Sequence, residues 1–245
     1  MVVPPVDALP SGDAVATEVA PEATPEVAPE VEPEVGGPAC GPTSPGEIDE
    51  WIGGEGNCSY PASALPQYAA SVDSQLYANG AACGSCLEVS SARGKVIATV
   101  VDQYPVSPGP NGHRISISAA GLLLVAAPGT SIINLPWRWV PCPVDGSITA
   151  VLTGDSGQYY WKMMLRDSTN RVVKVEFVTA SDKTWRSAAL QSDGFFSSEQ
   201  GNGLPAQFRL TDEAGNVLTT GMLTWGSPVT TPLSLGVQFA PACVP

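Results

Sequence analysis

A proline–glutamate repeat occupies the start of this chain and limits where a fold can begin. Residues 1–45 contain ten of the 24 prolines, eight acidic side chains and no basic one, and Pro-Glu recurs every four residues between positions 21 and 34. Proline removes the amide hydrogens that helices and sheets need, and the like charges repel one another. We therefore predict that residues 1–45 form a disordered, extended acidic linker, either a tether or a passive tail.

The acidic excess restricts the partners of the remaining chain. The formal net charge is −13, and residues 46–245 hold 16 acids and all 11 bases, a net charge of −5. Because negative charge is repelled by phosphate backbones and anionic lipids, we expect no nucleic acid and no membrane partner. The apolar run at 119–128 is too short for a membrane span. The start lacks a leader's basic and apolar parts, so we expect a mature secreted chain with an added methionine.

Six cysteines constrain the fold further. An even number predicts three disulfides in an oxidising compartment, and hence an extracellular protein. Cys83 and Cys86 form a CxxC pair, which leaves a zinc site as an alternative, although only one such pair and one histidine are present. A redox pair is disfavoured because a strand-like segment follows Cys86. We predict no metal and no cofactor. The cysteines are Cys40, Cys58, Cys83, Cys86, Cys142 and Cys243.

Short apolar alternations separated by Gly, Pro and Asn turns predict an all-β body. The best helix candidate is 119–127, and Asp145-Gly146 is a natural turn between two halves. We predict one domain at 46–144 and a second, sandwich-like domain at 145–245. The predicted strands are 95–101, 114–118, 131–133, 147–152, 159–165, 172–178, 207–211, 217–222 and 235–239.

Several motifs in a fixed order make the chain resemble a known family. They are GNCSY (56–60), NGAACGSCLEV (79–89), VVDQYP (100–105) and WRWVPCPV (137–144), followed by YYWKMMLRD (159–167), VKVEF (173–177) and FRLTD (208–212). This series resembles expansins, particularly the microbial expansin-like proteins. The resemblance implies a six-stranded double-psi β-barrel followed by an immunoglobulin-like, carbohydrate-binding β-sandwich. It also implies disulfides Cys58–Cys83 and Cys86–Cys142, which leaves Cys40 to pair with Cys243.

The resemblance also locates a candidate groove on the barrel. The family's barrel acid falls at Asp102, with Tyr104 beside it, and a second, functionally central acid falls at Ser116. An early groove threonine falls near Asp49, with Trp51 at the groove edge. Cleaving a glycosidic bond takes two carboxyl groups, and a serine hydroxyl does not donate a proton near neutral pH. We therefore predict a protein without enzyme activity.

The role of each acid in the groove stays open at this point. Asp102 is able to orient a sugar hydroxyl or act as a general base. It is equally able to be a buried carboxylate that accepts backbone amides. Asp49 supplies a second carboxylate only if the fold brings it across the groove.

Aromatic residues of the second half predict a flat platform for sugar rings. The family's platform falls on Tyr159 and Tyr160, or on Tyr160 and Trp161 after a shift of one residue. Exposed rings suit the apolar faces of sugars. Because side chains alternate along a strand, at least one of the three belongs to the core.

Other residues of the second half are weaker candidates for sugar binding. The family's third ring position falls at Asp193, with Phe195 close by, and Lys162 is a candidate for contacting sugar hydroxyls. Trp185 and Trp225 are further candidates, although tryptophan in a sandwich more often belongs to the core.

The resemblance therefore predicts a secreted monomer that binds plant cell-wall polysaccharide and loosens it without hydrolysis. The polymer is cellulose or another glucan, with xylan and peptidoglycan as further possibilities. Two alternatives stay open, namely a glycoside hydrolase or lytic transglycosylase on the barrel, and a pure binding or interaction module whose acidic linker tethers it to a partner.

Overall fold

The computed structural model describes residues 40–199, 203–224 and 232–243. The predicted linker lies outside the described residues up to position 39, and so does Trp225. The first strand begins at Ser44, two residues before the predicted start of the barrel domain. The domain limits at 46–144 and 145–245 stay predictions.

Six strands close into a barrel in the order β1-β5-β2-β4-β3-β6. The pairs β1–β5 and β2–β4 are parallel and the other neighbours are antiparallel, which is the double-psi arrangement. The elements are β1 (Ser44–Trp51), β2 (Ala69–Asp73), α1 (Ser74–Tyr77), β3 (Cys86–Ser90), β4 (Lys95–Tyr104), β5 (His113–Ser118), α2 (Ala119–Val125) and β6 (Ile132–Val140), with short 3-10 turns at Ala62–Ala64 and Ala78–Gly80.

The remaining strands form two antiparallel sheets packed as a sandwich. One sheet has the order β10-β9-β13-β14 and the other β11-β12-β8-β7-β15. The strands are β7 (Thr149–Leu152), β8 (Lys162–Arg166), β9 (Val172–Thr179), β10 (Arg186–Ser187), β11 (Ala189–Leu190), β12 (Phe196–Ser197), β13 (Ala206–Asp212), β14 (Val217–Leu223) and β15 (Leu233–Ser234). The predicted barrel followed by a sandwich is confirmed.

Side-chain alternation separates an apolar interior from a polar face in the barrel. Ile48, Val72, Ile115 and Ile117 are fully buried in one cluster. Their neighbours along β1, β2 and β5 point the other way, because successive side chains of a strand face opposite sides. This second face carries the predicted groove residues.

The sandwich core is built around Trp161. Its ring makes edge-on contacts with Phe177 and Phe208, each with ring centroids 5.1 Å apart. Met163 and Leu165, at alternate positions along β8, lie in the same cluster. Trp161, directly before β8, continues this alternation and points into the same core.

The predicted strand at 235–239 is wrong. Leu235 and Phe239 are buried in the sandwich core as an apolar pattern suggests, but the segment is irregular. Gly236 has φ +68°, a left-handed conformation that interrupts an extended run. The strand in this part of the chain is β15, at Leu233–Ser234.

Three disulfides join Cys58 to Cys83, Cys86 to Cys142, and Cys40 to Cys243. The first two are the pairings that the family resemblance implied, and the third joins the two cysteines that the resemblance left over. Cys83 and Cys86 belong to different bonds, so neither is available as a thiol for a zinc site or a CxxC redox pair.

The C-terminal segment is also held by side-chain amides of the sandwich. Asn170 donates to Asp212 Oδ2 at 2.7 Å and to the Ala240 carbonyl at 2.9 Å, and it accepts from the Ala242 amide at 3.1 Å. This docking brings Cys243 to the start of the barrel, where it bonds Cys40.

Trp161→Ala should destabilise the protein by about 3–5 kcal/mol, because it removes a fully buried ring from the sandwich core. Tyr159→Ala is the matched control. That ring is two positions away and 69% exposed, so its loss should change stability by less than about 0.5 kcal/mol. Urea denaturation gives both free energies of unfolding, and equal losses would contradict the assignment of Trp161 to the core.

Replacing Cys40 and Cys243 together by serine should lower the free energy of unfolding by about 2–4 kcal/mol, because the disulfide restricts the unfolded chain. The comparison is made by thermal and urea denaturation without reductant. Stability equal to that of the parent would show that the bond does not hold the two ends in solution.

Candidate functional site

A row of polar side chains crosses four neighbouring strands on the polar face of the barrel. Asp49 of β1 pairs in register with Ser116 of β5, Ser116 with Ser71 of β2, and Ser71 with Asp102 of β4. We call these four residues the polar row. Ser116 is only 4% exposed, so it contributes from the floor of the row and not from the open surface.

Asp102 is held by three N–H donors. The Trp51 indole donates to Oδ2 at 3.2 Å, and the backbone amides of Asn57 and Gln103 donate to Oδ1, each at 2.8 Å. The carboxylate therefore ties the end of β1 and the following loop to β4. About three of its roughly four acceptor positions are occupied. Asp102 therefore accepts backbone amides, which is the structural alternative given for it above, and it also lies beside Trp51 in the candidate groove.

Arg114 occupies the position next to the polar row. Its guanidinium lies 3.2 Å from Glu47 Oε2 and 3.4 Å from Asp49 Oδ2. It also lies 5.6 Å from the centroid of the Tyr104 ring, within cation–π range. Asp49 is thus paired with a cation. In the sheet, β5 and β2 separate Asp49 from Asp102.

Sequence analysis missed Ser71, Arg114 and Asp73 as parts of this face. Asp73 caps α1 by accepting the Gln75 and Leu76 amides, and it also accepts the Arg114 amide at 3.0 Å. The available signal was alternation, because polar residues at 71 and 73 and at 114, 116 and 118 share a face on their strands.

The candidate platform consists of two tyrosines just before β8. Tyr159 is 69% exposed, and Tyr160 is half-buried. They precede the strand, so strict alternation does not apply to them. The structure therefore supports the reading that places the platform at Tyr159 and Tyr160.

Two residues that were predicted to bind sugar, Trp161 and Phe195, are buried, so this part of the prediction is wrong. Trp161 has no exposed surface, since it packs between Phe177 and Phe208. Phe195 is 7% exposed and packs into the barrel core. Neither ring can offer a face to a sugar without disrupting a core.

Lys162 is tied to the position where the family's third ring would stand. Its Nζ lies 2.6 Å from Asp193 Oδ2 and 4.7 Å from the centroid of the Phe195 ring. Asp193 also accepts the Phe195 amide, at 3.3 Å. At the position where the resemblance would put a third ring, the structure therefore has an ion pair between Lys162 and Asp193.

Tyr77 connects the barrel to the segment of the sandwich that precedes Asp193. Its buried hydroxyl donates to the Ser192 carbonyl at 2.6 Å. Burial, and then the charges of Asp102 and Asp193, raise the pKa of Tyr77 to about 12.

The chemistry of this surface favours binding over proton transfer. The carboxylate of Asp102 accepts hydrogen bonds and that of Asp49 is ion-paired, whereas hydrolysis needs one free acid and one free base across the bond. Within residues 40–199, 203–224 and 232–243, no group of three or more His, Cys, Asp or Glu side chains is placed to hold a metal ion.

A separate cleft of about 540 Å³ lies between the barrel and the sandwich. Tyr60 and Thr99 line it from the barrel, and Thr149 and Arg166 from the sandwich. Arg166 lies 4.4 Å from the centroid of the Tyr60 ring. The predicted groove and platform residues do not line this cleft.

None of the helices in the described part of the chain is long and apolar enough to cross a membrane.

Comparison with known proteins relates the sequence to expansins. No protein-family model matches the chain. Expansin-A26 of Oryza sativa subsp. japonica is 30% identical over 103 residues, which cover 41% of this chain and 36% of that protein. Expansin-like protein 7 of Dictyostelium discoideum is 26% identical over 140 residues, which cover 55% of this chain and 25% of that protein. The chain thus spans well under half the length of these two relatives.

Solved structures show the same fold. The crystal structure of the apo Clavibacter michiganensis expansin superposes with a TM-score of 0.71 at 20% identity, covering 82% of this chain and 99% of that one. A substituted form of that expansin, in complex with cellohexaose, superposes with a TM-score of 0.68, also at 20% identity, covering 82% of this chain and 98% of that one. The chain is thus similar to expansins in sequence and shares their fold, as its motifs predict.

Proposed function

We propose that this protein binds cell-wall glucan, with cellulose as the first candidate, and loosens it without cleaving it. The observation that carries the proposal is the pair Tyr159 and Tyr160, which has exposed ring surface and belongs to the same compact unit as the polar row. The cellohexaose complex of a related expansin supports a β-linked glucan as ligand. The proposal includes a secreted, extracellular monomer; xylan and peptidoglycan are further substrates for testing.

The tyrosines supply affinity in this proposal. Stacking of a sugar on an exposed ring removes apolar C–H surface from water and needs no charge. A neutral polymer also suits a body with a net charge of −5, since no electrostatic attraction is required.

The polar row acts on the bound chain by hydrogen bonding. Asp102 retains an acceptor position for a sugar hydroxyl, and Trp51 and Tyr104 lie on the same face as ring surfaces. A glucan chain that follows this face is held in the conformation that these contacts impose, and its lateral contacts with neighbouring glucan chains are then weakened. Because Ser116 stands where the family has an acid, binding without loosening is the second candidate function.

Tyr159→Ala combined with Tyr160→Ala should weaken retention on insoluble cellulose by about tenfold or more, since both stacking surfaces are lost. A pull-down isotherm measures this. Leu123→Ser, which alters a side chain that is 52% exposed on α2, is the control and should leave the isotherm unchanged. Full retention by the double variant would refute the platform.

Asp102→Asn should reduce loosening but not retention, because an amide cannot accept all three N–H donors and the loop after Trp51 loses its anchor. Stress relaxation of wall material, beside a binding isotherm, separates the two effects. Asp145→Asn changes the same charge at an exposed position and serves as control.

Release of reducing sugars or anhydro-sugars from cellulose, xylan or peptidoglycan by the parent protein would instead establish the hydrolase or transglycosylase. Binding without any stress relaxation would establish the pure binding module.

A further inference from the structure

The outer face of the sheet β10-β9-β13-β14 carries a trough that the platform does not use. Val178 of β9 pairs with Gln207 of β13, and Gln207 with Met222 of β14, so the three lie in one row across the sheet. Trp185, directly before β10, closes this row at the other edge. The trough has a volume of about 230 Å³, and it is also lined by Thr179, Ala180 and Lys183.

The Trp185 ring is fixed in place before any ligand arrives. The Arg209 guanidinium lies 4.6 Å from the ring centroid. Glu176 holds Arg209 with two bonds of 2.9 Å, from Nε to Oε2 and from Nη2 to Oε1. A bidentate pair sets the plane of the guanidinium, and the guanidinium in turn supports the ring. A half-buried indole held this way is a preorganised stacking surface.

Apart from Lys183, the charged side chains around the trough pair with one another. Glu176 pairs with Lys174 as well as with Arg209, and Asp182 pairs with Arg186 at 2.6 Å. Paired ions present little net field to a ligand, which disfavours strongly charged partners. An apolar ring at one end and an apolar Met222, 49% exposed, at the other suit an uncharged chain with apolar faces and hydroxyl edges.

We propose that Trp185, Gln207 and Met222 form a second carbohydrate-binding site for a neutral β-linked glucan. Trp185 stacks on a sugar face, Met222 packs on a further unit, and Gln207 and Lys183 contact hydroxyls between and beside them. This inference rests on the proposed function for the choice of ligand class, but it uses different residues and a different sheet.

The position of the second site gives it a distinct consequence. The tyrosine platform lies beside β8, in one sheet of the sandwich, whereas the trough lies on the outer face of the other sheet. Because the two sites use residues of different sheets, we expect one molecule to bind two glucan chains at once and to bridge them. The effective concentration at the second site then strengthens retention on a bundle.

The first experiment isolates the trough. Full-length protein carrying Tyr159→Ala and Tyr160→Ala is titrated with cellohexaose while the indole ¹⁵N–¹H resonance of Trp185, assigned by Trp185→Phe, is followed. The resonance should shift and saturate, and adding Trp185→Ala should weaken the remaining affinity by about tenfold. An indole that stays unchanged throughout the titration overturns the second site.

The second experiment tests bridging with cellulose nanocrystals and light scattering. The parent protein should bundle the crystals, and Trp185→Ala should remain bound but bundle them at least about fivefold less, because one contact remains. Val217→Ser, on β14 outside the trough and 54% exposed in the parent, is the matched control and should bundle normally. Equal bundling by Trp185→Ala overturns bridging.

The two proposals fail separately. If the Trp185 resonance shifts and the tyrosine variant is retained normally on cellulose, the platform is refuted as a binding site and the trough is supported. If the resonance does not shift and the tyrosine variant loses retention, the trough is refuted and the platform is supported. Melting temperatures of Trp185→Ala and Trp185→Phe check the fold, and Trp185→Phe should keep most of the bundling because it preserves a ring.

Discussion

Two side chains of the sandwich, Met164 and Phe195, complete the hydrophobic core of the barrel. This shared burial makes the two halves one packed body, and the Tyr77–Ser192 hydrogen bond reinforces it. The polar row and the tyrosine platform consequently belong to one compact unit. A polymer that touches both contacts two parts of the same packed body.

The chemistry of the barrel face follows from how its charged groups are already engaged. Most of the acceptor positions of Asp102 are occupied by Trp51 and two backbone amides, and Arg114 forms ion pairs with Asp49 and Glu47. Groups engaged in this way hold a shape and offer hydrogen bonds, but they are poorly arranged to exchange protons with a glycosidic oxygen. Function by binding is the simplest consequence of such a face.

Most strands could be predicted from sequence, because alternation and turn residues are local signals. The ordered motifs also revealed the family resemblance. The predictions that were wrong concern burial. Trp161 and Phe195 look like ligand rings in a linear motif, yet each fills a core, and 235–239 has an apolar pattern that Gly236 interrupts. Trp185 was a candidate ring from sequence, but its network with Arg209 and Glu176 had no signature there, since these partners are distant in the chain and meet only across paired strands.

By itself, the sequence determined the class of the molecule. Ordered motifs, six cysteines and short alternating segments predicted a disulfide-bonded, two-part β protein that resembles expansins. Only the tertiary structure decided which aromatic rings are available and which acids are engaged. The physical reason is that exposure and hydrogen-bond partners are set by contacts between distant residues, such as Trp51 with Asp102 and Arg209 with Trp185. Local patterns describe a side chain's direction on its strand, whereas packing determines what that side chain meets.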